Sequence, residues 1–154
     1  MVKKLLISIS VIAFLLPSLA FAYSFTASPN PVNSGSENTI NLSWSGAVGT
    51  YQWQYLFTAA GANVHGNATH QPTTASGGVA WSTLGFNTGL TPGNYIVVTF
   101  GDNTGGDYSF ANGLCGGTIT YSNCLTNGGF GAGTYATTTL TVNSAARRKI
   151  ILVP

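Results

Sequence analysis

Lysine and arginine are missing from residues 23–146 of this 154-residue chain. All five basic side chains lie towards its two ends, Lys3 and Lys4 at one and Arg147, Arg148 and Lys149 at the other. Acids are almost as scarce: Glu37, Asp102 and Asp107 are the whole set, so residues 23–146 hold three acids against no base, a net charge of −3. Phosphate backbones are bound by basic surfaces, and a region without one is excluded as a nucleic-acid binder. Histidine is limited to His65 and His70 and cysteine to Cys115 and Cys124, too few ligands for a zinc site, and no Cys-x-x-Cys pair is present for redox chemistry. No serine stands in a nucleophile-elbow motif, and Glu37 has no second carboxylate near it in sequence for paired-acid hydrolysis. No catalytic residue and no metal ligand set is therefore assigned, and enzyme activity is not expected. Past residue 22 no segment sustains a helical hydrophobic period.

What is present begins with an export signal. Lys3 and Lys4 precede an apolar run over residues 5–16, Pro17 follows it, and Ala20-Phe21-Ala22 supplies a small-x-small cleavage site, the three parts of a secretory signal peptide. The run is shorter than the roughly 20 apolar residues that cross a bilayer. The expectation is a signal over residues 1–22, one domain over residues 23–146, and a basic then apolar tail over residues 147–154. The mature chain is placed outside the cell or on its surface, with no integral membrane span once the signal is cleaved. In that oxidising setting Cys115 and Cys124, nine positions apart, are expected to form a disulfide. The Thr/Ile/Tyr alternation between them predicts a small hairpin, and closing a loop of this length stabilises by roughly 2 to 3 kcal/mol.

Short alternating or β-branched runs separated by Gly, Pro and Asn recur along the mature chain, which predicts an all-β fold. Residues 23–27 form a first strand, interrupted by Pro29-Asn30-Pro31. Residues 39–45 alternate cleanly, with Ile40, Leu42 and Trp44 on one face. Residues 51–57 follow the same rule and set Tyr51, Trp53, Tyr55 and Phe57 on one face. Residues 79–86 and 94–100 give two more strands, the latter apolar on both faces and therefore central. Leu90-Thr91-Pro92-Gly93 forms the turn into it. Residues 101–133 are so rich in glycine that they read mostly as loop, and residues 134–142 close the domain as a last strand.

The order of Ala27-Ser28-Pro29-Asn30-Pro31-Val32-Asn33-Ser34-Gly35, then Ile40-Asn41-Leu42-Ser43-Trp44, then Leu90-Thr91-Pro92-Gly93-Asn94-Tyr95-Ile96-Val97-Val98, then a last strand over 135–142 resembles the bacterial and archaeal immunoglobulin-like surface domains. The resemblance spans most of the mature chain. It implies an immunoglobulin-like β-sandwich, with Tyr95 near a corner at the start of the penultimate strand. The antibody-type pair of inter-sheet cysteines is missing, and the Gly-rich, disulfide-pinned insertion before the last strand departs from a minimal module.

With so few charges, Ser, Thr, Asn, Gln and Gly must keep the surface wet, and nothing repels a second copy. The leading expectation is a secreted or cell-surface structural or adhesive protein, such as a self-assembling filament or surface-layer subunit, whose partners are its own copies or other surface components. The alternative is a carbohydrate-binding module, in which Trp81, Trp53, Tyr51 and Tyr55 are the candidate residues for stacking on glycans, against the competing expectation that these rings are core. No cofactor is expected beyond a candidate calcium loop at Asp102, Asn103 and Asp107, which carries oxygen ligands but not the EF-hand spacing. Asn41-Leu42-Ser43 and Asn67-Ala68-Thr69 match the N-glycosylation pattern, making Asn41 and Asn67 candidate glycan acceptors. The tail over 147–154 needs a place for its apolar residues: a strand donated to a neighbouring subunit, a segment that meets an anionic surface or membrane, or the start of a longer anchor, against the competing expectation of a terminus frayed in solvent.

Overall fold

Residues 40–45 show most simply how this chain folds. A computed structural model describes residues 23–47, 51–65, 71–72, 76–102, 115–127 and 135–145. In it Ile40, Leu42 and Trp44 are buried, while Asn41, Ser43 and Ser45 are exposed. A strand turns successive side chains to opposite faces, so this alternation commits one face to the interior and the other to water.

The same logic produces nine strands among the described residues: β1 (Ser24–Ser28), β2 (Val32–Asn33), β3 (Asn41–Ser45), β4 (Tyr51–Thr58), β5 (Asn63–His65), β6 (Gln71–Pro72), β7 (Ser76–Ala80), β8 (Gly93–Asp102) and β9 (Tyr135–Asn143). One α-helix, α1 (Tyr121–Thr126), accompanies them. The all-β expectation holds. The strands form two sheets, a smaller one in the order β1-β3-β7 and a larger one in the order β2-β9-β8-β4-β5, with β6 also on β4. All pairs are antiparallel except β2 with β9.

One buried cluster joins the two sheets, with Phe25, Leu42, Trp44 and Val79 from the smaller and Leu56, Val97, Leu140 and Val142 from the larger. At roughly 25 cal/mol per Å² of apolar area, each large side chain fully buried here contributes about 1.5 to 3 kcal/mol. Cross-strand partners share a face. In the larger sheet Gln54 opposes Thr99, and Leu56 opposes Val97; these side chains look towards the smaller sheet. The opposite face carries Trp53, Tyr55 and Phe57 beside Phe100, Val98 and Ile96. Rings stack there, Tyr55 on Phe57 at 6.3 Å and on Phe100 at 5.8 Å. Tyr121 of α1 meets Phe57 edge-on at 5.8 Å, and its backbone N–H donates to the Gly61 carbonyl at 2.9 Å. The larger sheet is thus buried on both faces, once by the smaller sheet and once by the segment carrying the disulfide.

Three expectations change. The strand expected over residues 79–86 stops at Ala80. Trp81–Leu84 is a 3-10 turn ending at Gly85, whose φ of 66° is left-handed and costs a glycine nothing. The hairpin expected between the cysteines is instead α1, because the Thr120 hydroxyl accepts from the Asn123 N–H at 3.1 Å and caps a helix start. Gln52 and Gln54, which strict alternation on one buried face would send to solvent, are fully buried. The expected signal over residues 1–22 and the tail over 147–154 lie outside the described residues, as do residues 103–114 and 128–134 of the Gly-rich stretch.

Candidate functional site

Few side chains in the described residues can carry chemistry, and those that can gather in two polar clusters. Glu37 sits in a 3-10 turn, Glu37–Thr39, and is fully buried. Its carboxylate accepts from the N–H of Gly35 at 2.9 Å and of Gly89 at 3.0 Å on Oε2, and of Leu90 at 2.9 Å on Oε1. Burial pushes its pKa up, but the N–H groups of Gly89, Glu37 itself, Leu90 and Gly35 outweigh it, and the carboxyl is held below the usual carboxylate range. A carboxylate engaged by three backbone N–H groups fastens the loop of residues 34–37 to the loop of residues 87–90. Asp102 ends β8, nine residues beyond Gly93 and so roughly 30 Å along the strand from the Glu37 end. The pairing of acids that hydrolysis requires is not met by these two.

A second cluster closes the other end of the core. Tyr23 donates its hydroxyl to Gln52 Oε1 and also lies 3.3 Å from Thr99 Oγ1. Thr99 donates to Gln52 Oε1 at 3.1 Å, and Gln54 Nε2 lies 3.4 Å from Thr99 Oγ1. Burial drives the Tyr23 hydroxyl up to about 12, with its bonds to Thr99 and Gln52 opposing that rise. These contacts satisfy the Gln52 Oε1 and Thr99 hydroxyl inside the molecule, while the buried Gln54 Oε1 has no hydrogen-bond partner among the described residues.

Three of the four candidate stacking residues do not face solvent. Trp81 is 0% exposed, packed edge-on against Phe86 at 4.7 Å with its Nε1 donating to the Asn87 carbonyl. Trp53 and Tyr55 are also buried. These three rings are core, which corrects the glycan-stacking expectation for them, since a ring must show a face to stack on a sugar. Tyr51 lies on β4, opposite Asp102, with its side chain outside the described residues. For the candidate calcium loop only the backbone of Asp102 is described; Asn103 and Asp107 lie outside. Among the described residues no three of His, Cys, Asp and Glu gather, and no helix is long and apolar enough to cross a membrane. Of the candidate glycan acceptors, Asn41 is exposed at the start of β3, and Asn67 lies outside the described residues. Cys115 and Cys124 are joined as a disulfide and fully buried. An open cleft of about 470 Å³ lies between Thr58, Val64, Leu90 and Tyr95, without an acid, a base or a thiol in its wall.

The edges differ from one another in a way that composition alone could not reveal. On the larger sheet, β9 is guarded. The Asn30 side chain donates to the Thr139 carbonyl at 2.6 Å and accepts from the Thr141 N–H at 2.9 Å, and β2 pairs with the next residues. The opposite edge strand, β5, is three residues long beside a register shift at Leu56/Phe57. Short strands, bulges and side-chain caps are how sheets discourage pairing with strangers. The edge strand β7 of the smaller sheet, Ser76-Gly77-Gly78-Val79-Ala80, carries no charge, no proline and no bulge, and no strand pairs with its outer side among the described residues. The asymmetry of the edges is the feature that sequence reasoning missed, and only strand order could show it.

Comparison with protein-family models, with curated proteins and with solved structures finds no match for this chain.

Proposed function

We propose that this chain is a secreted or cell-surface structural or adhesive protein, an immunoglobulin-like sandwich that works by associating with further copies of itself through an open sheet edge. The observation that carries the reading is the uncharged edge strand β7, with no strand on its outer side among the described residues, in a stretch, residues 23–146, with no lysine or arginine. Removing like-charge repulsion and edge protection together favours strand-to-strand contact between copies.

The immunoglobulin-like part of the reading is supported by strand order. With β1, β3 and β7 in the roles of strands A, B and E, and β9, β8, β4 and β5 in those of G, F, C and C′, both sheets follow the order of that fold. The Tyr95 hydroxyl donates to the Thr91 carbonyl at 2.8 Å, four residues upstream at the start of β8, the pattern of a tyrosine corner. The departures are the missing inter-sheet disulfide and the inward-facing Gln52 and Gln54. Export is supported by the residues 1–22 pattern and by the disulfide, which persists in oxidising surroundings.

Light scattering and electron microscopy on the mature chain, residues 23–154, test the reading. Oligomers or filaments that grow with concentration are expected. A strictly monomeric species over a wide concentration range contradicts it.

A further inference from the structure

We infer that the cleft between the loop of residues 87–91 and the β4–β5 hairpin is a binding site for a neutral sugar ring. The inference goes beyond self-association and needs no sheet edge.

The loop that forms one wall is held from beneath. Trp81 Nε1 donates to the Asn87 carbonyl at 3.2 Å. The Glu37 carboxylate accepts from the Gly89 and Leu90 N–H groups at 3.0 and 2.9 Å. Ser34 donates its hydroxyl to the Leu90 carbonyl at 2.7 Å, and Tyr95 donates its own to the Thr91 carbonyl at 2.8 Å. Side chains from separate parts of the fold thus fix the backbone of a loop that belongs to no strand. The side chains of Asn87, Thr88 and Thr91 stay exposed on it. A backbone ordered before a ligand arrives loses little further entropy on binding, and loops set on a rigid scaffold are where binding residues concentrate.

The facing wall is Thr58, at the end of β4, and Val64, in β5. Thr58 and Tyr95 are cross-strand partners and share the face that looks towards the smaller sheet. β5 pairs Asn63 with Phe57 and His65 with Leu56, so it runs from the Thr58 end towards the middle of β4. The cleft therefore sits at the turn end of the hairpin, and every residue of its wall is among those described.

The chemistry of the wall selects the ligand. A volume of about 470 Å³ lies within the roughly 300 to 1,000 Å³ of small-molecule sites. The Asn87 amide and the Thr88 hydroxyl make no hydrogen bond among the described residues. Thr58 Oγ1 accepts from the Ala62 N–H at 3.1 Å and keeps its own proton to donate. Hydroxyls and a primary amide both donate and accept, which is what the hydroxyls of a sugar require of a partner. Beside them Val64, Leu90 and Tyr95 supply apolar surface for the C–H face of the ring. The wall holds no charged side chain, and the carboxylate behind it, Glu37, is negative. A phosphate or an acidic sugar meets that charge with no base to offset it, and a neutral ring does not. A peptide strand needs a row of free backbone partners, and in this loop those groups are engaged from beneath.

Saturation-transfer NMR on residues 23–154 tests this, because it reads the protons of the sugar and works on monomers and assemblies alike. The probes are the methyl glycosides of glucose, galactose and mannose, and N-acetylglucosamine. A single ring of about twelve heavy atoms binds in the range of about 1 mM. Transfer to the C–H protons of one face of at least one probe is expected. Asn87→Ala/Thr88→Ala is expected to weaken binding at least about tenfold with thermal unfolding as in the parent, since neither side chain holds another. No transfer to any probe, or equal binding by the folded double variant, overturns the assignment. Should the double variant fail to fold, Thr88→Val, which keeps the shape and removes the hydroxyl, decides: about threefold weaker binding is expected, and equal binding overturns it. Glucuronate is expected to bind at least about tenfold more weakly than methyl glucoside, and equal binding overturns the neutral assignment. A chain that never assembles but binds a probe supports this site and contradicts only the proposed self-association.

Discussion

At Glu37 a single carboxylate holds two loops by accepting backbone N–H groups from Gly35, Gly89 and Leu90. Glu37→Gln keeps the shape but turns an NH₂ group towards donors. Leaving buried N–H groups unmatched costs about 1 to 3 kcal/mol each, so this variant is expected to lower unfolding stability by roughly 3 kcal/mol in denaturant titration. Because the folded pKa lies below the ordinary value of 4.5, the stabilisation is whole above that value and disappears as pH falls through the lowered folded pKa. An acid titration of parent against Glu37→Gln should show their difference shrinking below about pH 4.5. Tyr23 behaves in the opposite sense. Its hydroxyl, raised from 10.0 to about 12, contributes stability that is whole below pH 10 and lost as pH climbs through 12, and Tyr23→Phe is expected to remove that alkaline loss. Trp81→Ala, at a residue with no exposed surface, is expected to unfold the domain or cost about 3 to 5 kcal/mol. Fluorescence-monitored unfolding measures it.

At the scale of elements, legibility tracks how one-sided a segment is. β3 and β9 are readable because one face is apolar and the other polar, and β8 because it is apolar on both. β4 is readable as a strand but not in its burial. Glutamine at 52 and 54 normally signals solvent, and here Tyr23 and Thr99 supply hydrogen bonds inside the core. A neighbour of the two-faced strand β8 must itself be covered, and that was the available signal. The segment of α1 is misread because Thr118-Ile119-Thr120-Tyr121 alternates, while a capping contact from Thr120 outweighs weak strand propensity. Edge protection was not legible at all, since it depends on which strands lie outermost. The disulfide ties α1 to Cys115 within the segment that covers the outer aromatic layer, and breaking it with Cys115→Ala/Cys124→Ala is expected to cost roughly 2 to 3 kcal/mol. Loss of protection from hydrogen exchange should then be confined to α1 and the facing residues of β4.

The whole molecule combines three properties that reinforce one another. It has few charges, the edges of its larger sheet are a strand covered by Asn30 and β2 and a three-residue strand beside a register shift, and its smaller sheet ends, among the described residues, in a strand of glycine, serine, valine and alanine. A monomer so built has little to keep copies apart, and neutral strand pairing is not screened by salt as ion pairs are. Self-association is therefore expected to persist at high ionic strength. The most direct test of the central claim is sedimentation of residues 23–154 of the parent beside Ala80→Pro, which removes a backbone N–H from β7 at a residue whose φ of −73° already suits proline, at matched, rising concentrations. The account predicts growing oligomers for the parent and a folded monomer for the variant. Oligomers of equal size in both would contradict assembly through the β7 edge.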